Sequence, residues 1–248
     1  MTIALVAAGC GHVGFDPVAA GDARTGDGSP GDGRDGPLAV DAALDANTMT
    51  LVFNPGNHDL VVPVPCAVLN IQAWGGGGGG GGDTGVALVG PGQPGGDTTF
   101  GTILAGGGKG GDHGNLSPMS TFLGGAGGSA AGGSTNLVGS PGGNGDSAVA
   151  VSPSGPGGNA PNGGSGGASI TVASMNGLAG SGPGGGGSGA EGLANPAAGG
   201  GSGGYVNATL TGLEGMTIPF VVGAGGAGGT GMFIGGEGAG GLLLALCH

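Results

Sequence analysis

From Met49 onward the chain sets Met49, Leu51 and Phe53 at every second position, with Thr50, Val52 and Asn54 between them. That two-residue period predicts a half-buried strand, and Asn54-Pro55-Gly56-Asn57 predicts the turn that ends it. Strands are predicted next over 60–64 and 68–74, the second with Leu69, Ile71 and Ala73 on one face and Asn70 and Gln72 on the other. Pro63 and Pro65 cannot donate to a ladder, which places that stretch at a sheet edge or a bend. Further strands are predicted over 98–104, 148–152, 168–173, 205–210, 216–223 and 241–247. Glu, Lys, Gln and Arg are nearly absent and glycine costs about 1 kcal/mol per helical position, so no long α-helix is expected beyond residue 47.

Between these strands the sequence is dominated by glycine, 74 of 248 residues in all, including eight in a row at 75–82 directly after Trp74. Such stretches admit three readings. Flexible linkers are the default for Gly/Ser-rich sequence, but linkers seldom carry Leu, Val, Phe and Met at intervals as 116–123, 137–138, 175–178 and 231–234 do. Collagen requires glycine strictly at every third position, which this chain lacks. The third reading is a bundle of polyglycine-II helices, extended threefold helices that make no internal hydrogen bonds and must pair N–H and C=O with neighbours. Only glycine lets neighbouring strands approach that closely, with Cα–H···O contacts adding a second-order contribution, and this third reading is favoured. A mean hydropathy of +0.25 argues against wholesale disorder, and the apolar 37%, mostly Ala, Val and Leu, predicts a thin aliphatic core.

Charge separates the chain into parts. Seven of its fifteen acids precede residue 46, and its only basic residues are Arg24, Arg34 and Lys109. A net charge of −12 without a basic patch leaves no means of neutralising phosphates, and nucleic acid is excluded as an expected partner. Residues 11–47, with Pro, Gly and Asp every few positions, are expected to be an acidic, disordered, self-repelling tether. Residues 48–248 are expected to be one nearly uncharged glycine-rich β domain.

Residues 1–10 form a short run of small apolar residues ending in Gly9-Cys10. This resembles the close of a bacterial lipoprotein signal peptide. By that resemblance Cys10 is diacylated and becomes the first mature residue, so that the partner is a membrane, reached through the lipid anchor only. No basic n-region is present, the apolar stretch is short, and Ala7 stands where Leu is usual; the expectation is a start codon further upstream. The competing reading is an N-terminal strand ending in a buried cysteine.

The head carries a second resemblance. Leu60-Val-Val-Pro-Val-Pro-Cys-Ala-Val-Leu-Asn-Ile-Gln-Ala-Trp74, running into glycines, resembles the opening of the bacterial glycine-rich domain family. Gly95-Gly-Asp-Thr-Thr-Phe-Gly-Thr-Ile-Leu-Ala-Gly-Gly-Gly108 is similar to its second segment, and 213–229 to its closing motif. The resemblance covers about 50–248 and implies an all-β fold: a small, jelly-roll-like β-sandwich carrying a polyglycine-II bundle. It implies no catalytic residues, and the family's varied functions make it a weak guide to any ligand.

With Cys10 assigned to the anchor, Cys66 and Cys247 remain as an even pair in an exported chain, where disulfides persist. A disulfide between them and two unpaired buried thiols are both open readings. His12, His58, His113 and His248 have no framed nucleophile beside them. Asp112-His113 near Lys109 reads as an exposed loop tip. Cys247-His248 and Cys10-Gly-His12 lack the second ligand pair of a zinc site, and no metal or cofactor is expected. Lys109 is followed by Gly110, not Ser or Thr, which rules out a P-loop; Gly142-Gly-Asn-Gly-Asp146 is one isolated fragment of a repeat that needs several stacked copies to bind calcium. The expected function is a lipid-anchored cell-surface structural or adhesive protein, not an enzyme. A carbohydrate- or protein-recognition module is the alternative and an ice-binding protein a remote one; the surface ligand is unknown.

Overall fold

The computed structural model describes residues 5–6, 49–83, 90–114, 121–146, 153–192 and 196–248. The expected strand at 148–152, the tether, Cys10 and His12 lie outside them. The strands are β1 (Leu5–Val6), β2 (Met49–Phe53), β3 (Gly56–Val61), β4 (Val68–Trp74), β5 (Thr98–Phe100), β6 (Ile103–Ala105), β7 (Thr121–Phe122), β8 (Ala130–Ala131), β9 (Thr135–Leu137), β10 (Gly145–Asp146), β11 (Tyr205–Thr211), β12 (Thr217–Val222) and β13 (Leu242–Cys247). Among the described residues there is no helix, and the fold is all-β as expected.

Two antiparallel sheets make a small sandwich, one in the order β1-β2-β13-β4-β11-β9, the other β3-β12-β5-β6-β8. Alternation along the strands fills the space between them: Leu51 and Phe53 from β2, Leu69, Ile71 and Ala73 from β4, Val206 and Ala208 from β11, and Leu243 and Ala245 from β13. The second sheet returns Leu60, Phe100, Ile103, Phe220 and Val222. Phe220 packs edge-on against Phe53, with centroids 4.8 Å apart, and this aromatic contact adds to an otherwise aliphatic core. Cys66, just ahead of β4, and Cys247, ending β13, stand at disulfide distance with Cα atoms 5.6 Å apart across 181 residues of sequence.

Several strand boundaries differ from the sequence reading, each for a local reason. The strand expected over 60–64 runs instead over Gly56–Val61 and stops short of Pro63; as expected of a proline-flanked strand, it lies at a sheet edge. Residues 98–104 form two strands, β5 and β6, because Gly101 takes a φ of +58° and turns the chain back on itself. Residues 168–173 form no strand; 168–170 belong to the glycine bundle and 171–173 to the connection after it. Leu5–Val6 pairs with Leu51 and Thr50 at the edge of the first sheet.

The glycine stretches form twelve extended segments, numbered in chain order: I (75–83), II (90–97), III (106–114), IV (121–128), V (139–146), VI (153–160), VII (163–170), VIII (175–181), IX (184–192), X (196–204), XI (223–230) and XII (233–241). Odd-numbered segments run away from the sandwich and even-numbered ones return. Their hydrogen bonds advance three residues at a time. Gly76, Gly79 and Gly82 donate N–H to Gly96, Gln93 and Gly90 of II; Gly77, Gly80 and Asp83 donate to Ala239, Gly236 and Phe233 of XII; Gly78 and Gly81 donate to Gly201 and Ala198 of X. The carbonyls accept with the same period, Gly76, Gly79 and Gly82 from III, Gly77 and Gly80 from XI, Gly78 and Gly81 from IX. This is the threefold polyglycine-II arrangement, with segment I enclosed on all sides.

Segments IX and X are enclosed in the same way. IX bonds to I, VI, VII, VIII, X and XII, and X bonds to I, III, IV, V, VI and IX. The three interior segments are therefore mutual neighbours, and the other nine close a ring around them in the order XI-II-III-IV-V-VI-VII-VIII-XII. A Cβ on any of Gly75–Gly82 would overlap a neighbouring main chain: Gly106 at 75, Ala224 at 76, Gly185 at 77, Lys109 at 78, Ala227 at 79, Ser188 at 80. Glycine is required there by the approach of the chains, whatever its entropic cost.

Small polar side chains complete the pairing where main-chain partners run out. Ser188 Oγ accepts from Leu178 N–H at 2.8 Å, Ser202 Oγ from Ser140 N–H at 2.8 Å, Ser154 Oγ from Ile170 N–H at 2.9 Å, and Asn144 Oδ1 from Gly124 N–H at 2.9 Å. Where strand passes into bundle, the buried Thr98 Oγ1 donates to the Trp74 carbonyl (2.7 Å) and accepts from Gly223 N–H (3.0 Å). Trp74 packs on Tyr205 and donates its indole N–H to the Pro161 carbonyl at 2.9 Å.

Replacing Gly80 by Ala is expected to lower stability by at least about 3 kcal/mol, because the neighbouring main chains cannot withdraw without breaking their own bonds. Gly182→Ala, with no atom near the added methyl, should stay within about 0.5 kcal/mol. Thermal unfolding of the two variants beside the parent protein measures the difference.

Candidate functional site

The bundle's outward positions carry the side chains, and their character follows the ring. Segment VIII donates to XII through Gly177 and Gly180, and XII donates to XI through Gly235, Gly238 and Gly241, so these three lie side by side. They expose Met175 and Leu178 from VIII, Ile234 from XII, and Ala224, Ala227 and Thr230 from XI, with Met232 in the connection and Glu237 as the one charge. The face that results is mainly apolar. Segments V, VI and VII instead expose Ser140, Pro141, Asn144, Pro153, Pro156, Asn159 and Ser165, with Asp146 as a charge at the end of segment V.

The residues singled out by sequence scatter. Lys109 and Asp112 sit three apart on the outward side of segment III, within a hydrogen-bonded extended segment and not at a loop tip as expected; Asp112 Oδ2 accepts the Leu123 amide at 3.2 Å. His113 is half-buried beside them. His58 stacks on Phe220 and its Nε2 bonds the Asn54 carbonyl at 2.8 Å. An open groove of about 340 Å³ runs past it, lined by Asn57, Asp59, Thr99 and Pro219 among others. His248 ends the chain after β13. No group of three or more His, Cys, Asp or Glu among the described residues could hold a metal ion.

What sequence reasoning missed is a pair of acids 108 positions apart. Asp83 closes segment I and Glu191 lies near the end of segment IX, both at the bundle's far end from the sandwich, and they are the only buried acids among the described residues. Each main chain is fixed to the ring: Asp83 exchanges hydrogen bonds with Phe233 (2.9 and 3.1 Å), Glu191 with Met175 (3.0 and 2.9 Å). Burial, and then the nearby Asp83 charge, push the Glu191 carboxyl up to about 7. No local motif marks the pair; the signal was an acid at the end of a tract where every other position is glycine or a small residue.

No family model, curated protein or solved structure matches the chain. Its fold defines the class: a β-sandwich extended at one end by a closed, hydrogen-bonded glycine bundle.

The raised Glu191 value fixes the sign of a pH effect. Between about pH 4.5 and 7 the folded protein holds a proton that the unfolded chain has released, so stability falls as pH rises through that window. Unfolding midpoints in chelator-containing buffer should be higher at pH 5 than at pH 8 by more in the parent protein than in Glu191→Gln. Equal slopes would show that Glu191 titrates normally.

Proposed function

We propose that the chain is a non-catalytic, lipid-anchored surface protein whose glycine bundle is a stiff scaffold for the side chains on its outer faces. The observation that carries this reading is the division of labour in the bundle. Its interior is main chain bonded to main chain, so side chains are free to be spent on the ring alone. An apolar face from segments VIII, XII and XI leaves Leu178 and Ile234 about half exposed and suits contact with another macromolecule.

The N-terminus supports the anchoring half of the proposal through Gly9-Cys10, and the acidic stretch to residue 47 would hold the head away from the bilayer. Processing at Cys10 would remove Leu5–Val6 from the first sheet and leave β2 as its edge. An exported location also favours oxidation of Cys66 and Cys247, whose separation fits a disulfide. A recognition module is the second reading, favoured by the groove of Asn57, His58, Asp59 and Thr99, which sets polar groups beside the Phe220 strand.

Expression in a bacterial host that processes lipoproteins tests the anchor. The parent protein should incorporate labelled palmitate and fractionate with membranes, whereas Cys10→Ser should do neither; recovery of both forms in the cytosol would overturn the reading. In the membrane-derived protein, intact mass without reductant should be two hydrogens lighter than with it, and two free thiols would show that Cys66 and Cys247 do not bond.

A further inference from the structure

We propose that the outer edge of β2 is a pairing site for β2 of a second copy of this chain, open once residues 1–9 are gone; this rests on the reading above that the chain is processed at Cys10. The four edges of the sandwich are unequal. The first sheet ends in β1 and β9, the second in β3 and β8. β8 and β9 are two and three residues long, too short to template much of a ladder. β3 carries the exposed Asp59 and is flanked by Pro55 and Pro63, features that deter a further strand. β2, Met49-Thr50-Leu51-Val52-Phe53, has five residues, no charge and no proline. Among the described residues only β1 lies along its outer side, and β1 reaches no further than Leu51 and Thr50.

That seated strand shows what the edge accepts. β1 pairs with β2 antiparallel, continuing the ladder that β2 makes with β13 on its other side. Two β2 strands related by a twofold axis are antiparallel too, and each offers the other the same row of main-chain donors and acceptors. With the axis at Leu51, the buried Leu51 and Phe53 stay on the core side of both copies, and Thr50 of each copy lies beside Val52 of the other on the outer side. No like charges meet across such a ladder, which removes the usual bar to edge pairing. A five-residue ladder is a small contact and belongs to the weak class of interfaces. Lipid anchors at Cys10 would hold both copies at one membrane and raise their effective concentration.

Sedimentation equilibrium of the full chain carrying Cys10→Ser, which keeps residues 1–9 and cannot be acylated, tests this at about 100 µM, a concentration suited to weak pairs. With β1 seated, the mass should be that of one chain, near 22.2 kDa. Adding Leu5→Pro and Val6→Pro removes the N–H groups that β1 needs for its ladder, and the mass should then double as concentration rises. Thr50→Lys or Val52→Lys in that background should return it to one chain, while Thr135→Lys on the edge strand β9 should not; thermal unfolding checks that each variant is folded. A proline variant that stays single, or one that both lysine substitutions in β2 leave double, would overturn the pairing. A doubled mass before the prolines are introduced would overturn β1 as its cover. None of these outcomes depends on acylation, so a failed palmitate experiment would sink the anchor alone and leave the edge to be judged by sedimentation.

Discussion

Main-chain hydrogen bonding between neighbours that carry no side chains is the constraint on which this molecule rests. An extended threefold helix satisfies none of its own donors or acceptors, and burying it unpaired would cost several kcal/mol over a few residues. Segment I shows the solution in full, since every N–H and C=O from Gly76 to Gly81 finds a partner on one of the surrounding segments. The same closeness that makes those bonds leaves no room for a Cβ. Glycine content here is thus a steric requirement of the packing, not a sign of a linker.

The sandwich sets the bundle's starting points. β4, β6, β9 and β12 lead into segments I, III, V and XI, while II, IV, X and XII lead into β5, β8, β11 and β13, so that one chain is handed repeatedly between a two-residue and a three-residue period. Thr98 and Trp74 stand at that handover, each satisfying main-chain groups that belong to neither ladder. The sandwich contributes what the bundle lacks, an apolar core with Ile71, Leu243 and Val206 fully enclosed. Cys66 and Cys247 lie across its middle strands, β4 and β13, away from the glycine end.

Much of the sandwich was legible from alternation: Leu69, Ile71 and Ala73 point inward as their spacing required, and β11, β12 and β13 fall where apolar runs placed them. The hairpin at Gly101 was not, because a glycine's positive φ leaves no mark in a chain where glycine is everywhere. The bundle could be inferred as a class but not ordered. In hindsight the ring segments repeat one side chain after two glycines, as in Ala224, Ala227 and Thr230 or Leu123, Ala126 and Ser129, while interior segments admit only glycine and a few buried Ala or Ser apart from Asp83, Glu191 and Pro196 at their ends. That contrast between one free position in three and none reflects one open side versus none. The Asp83 and Glu191 pairing stayed hidden because it depends on which interior segments are neighbours, and composition does not encode adjacency.

Amide hydrogen exchange across Gly75–Gly82 tests the central claim most directly, since these residues have no side chains to report on their packing. Donors locked into three neighbouring segments should exchange only with global unfolding, as slowly as the amides of Ile71 and Ala245 in the sandwich. Exchange at unstructured-peptide rates while those sandwich amides remain protected would show that the glycine tracts are independent loops, and the scaffold described here would not exist.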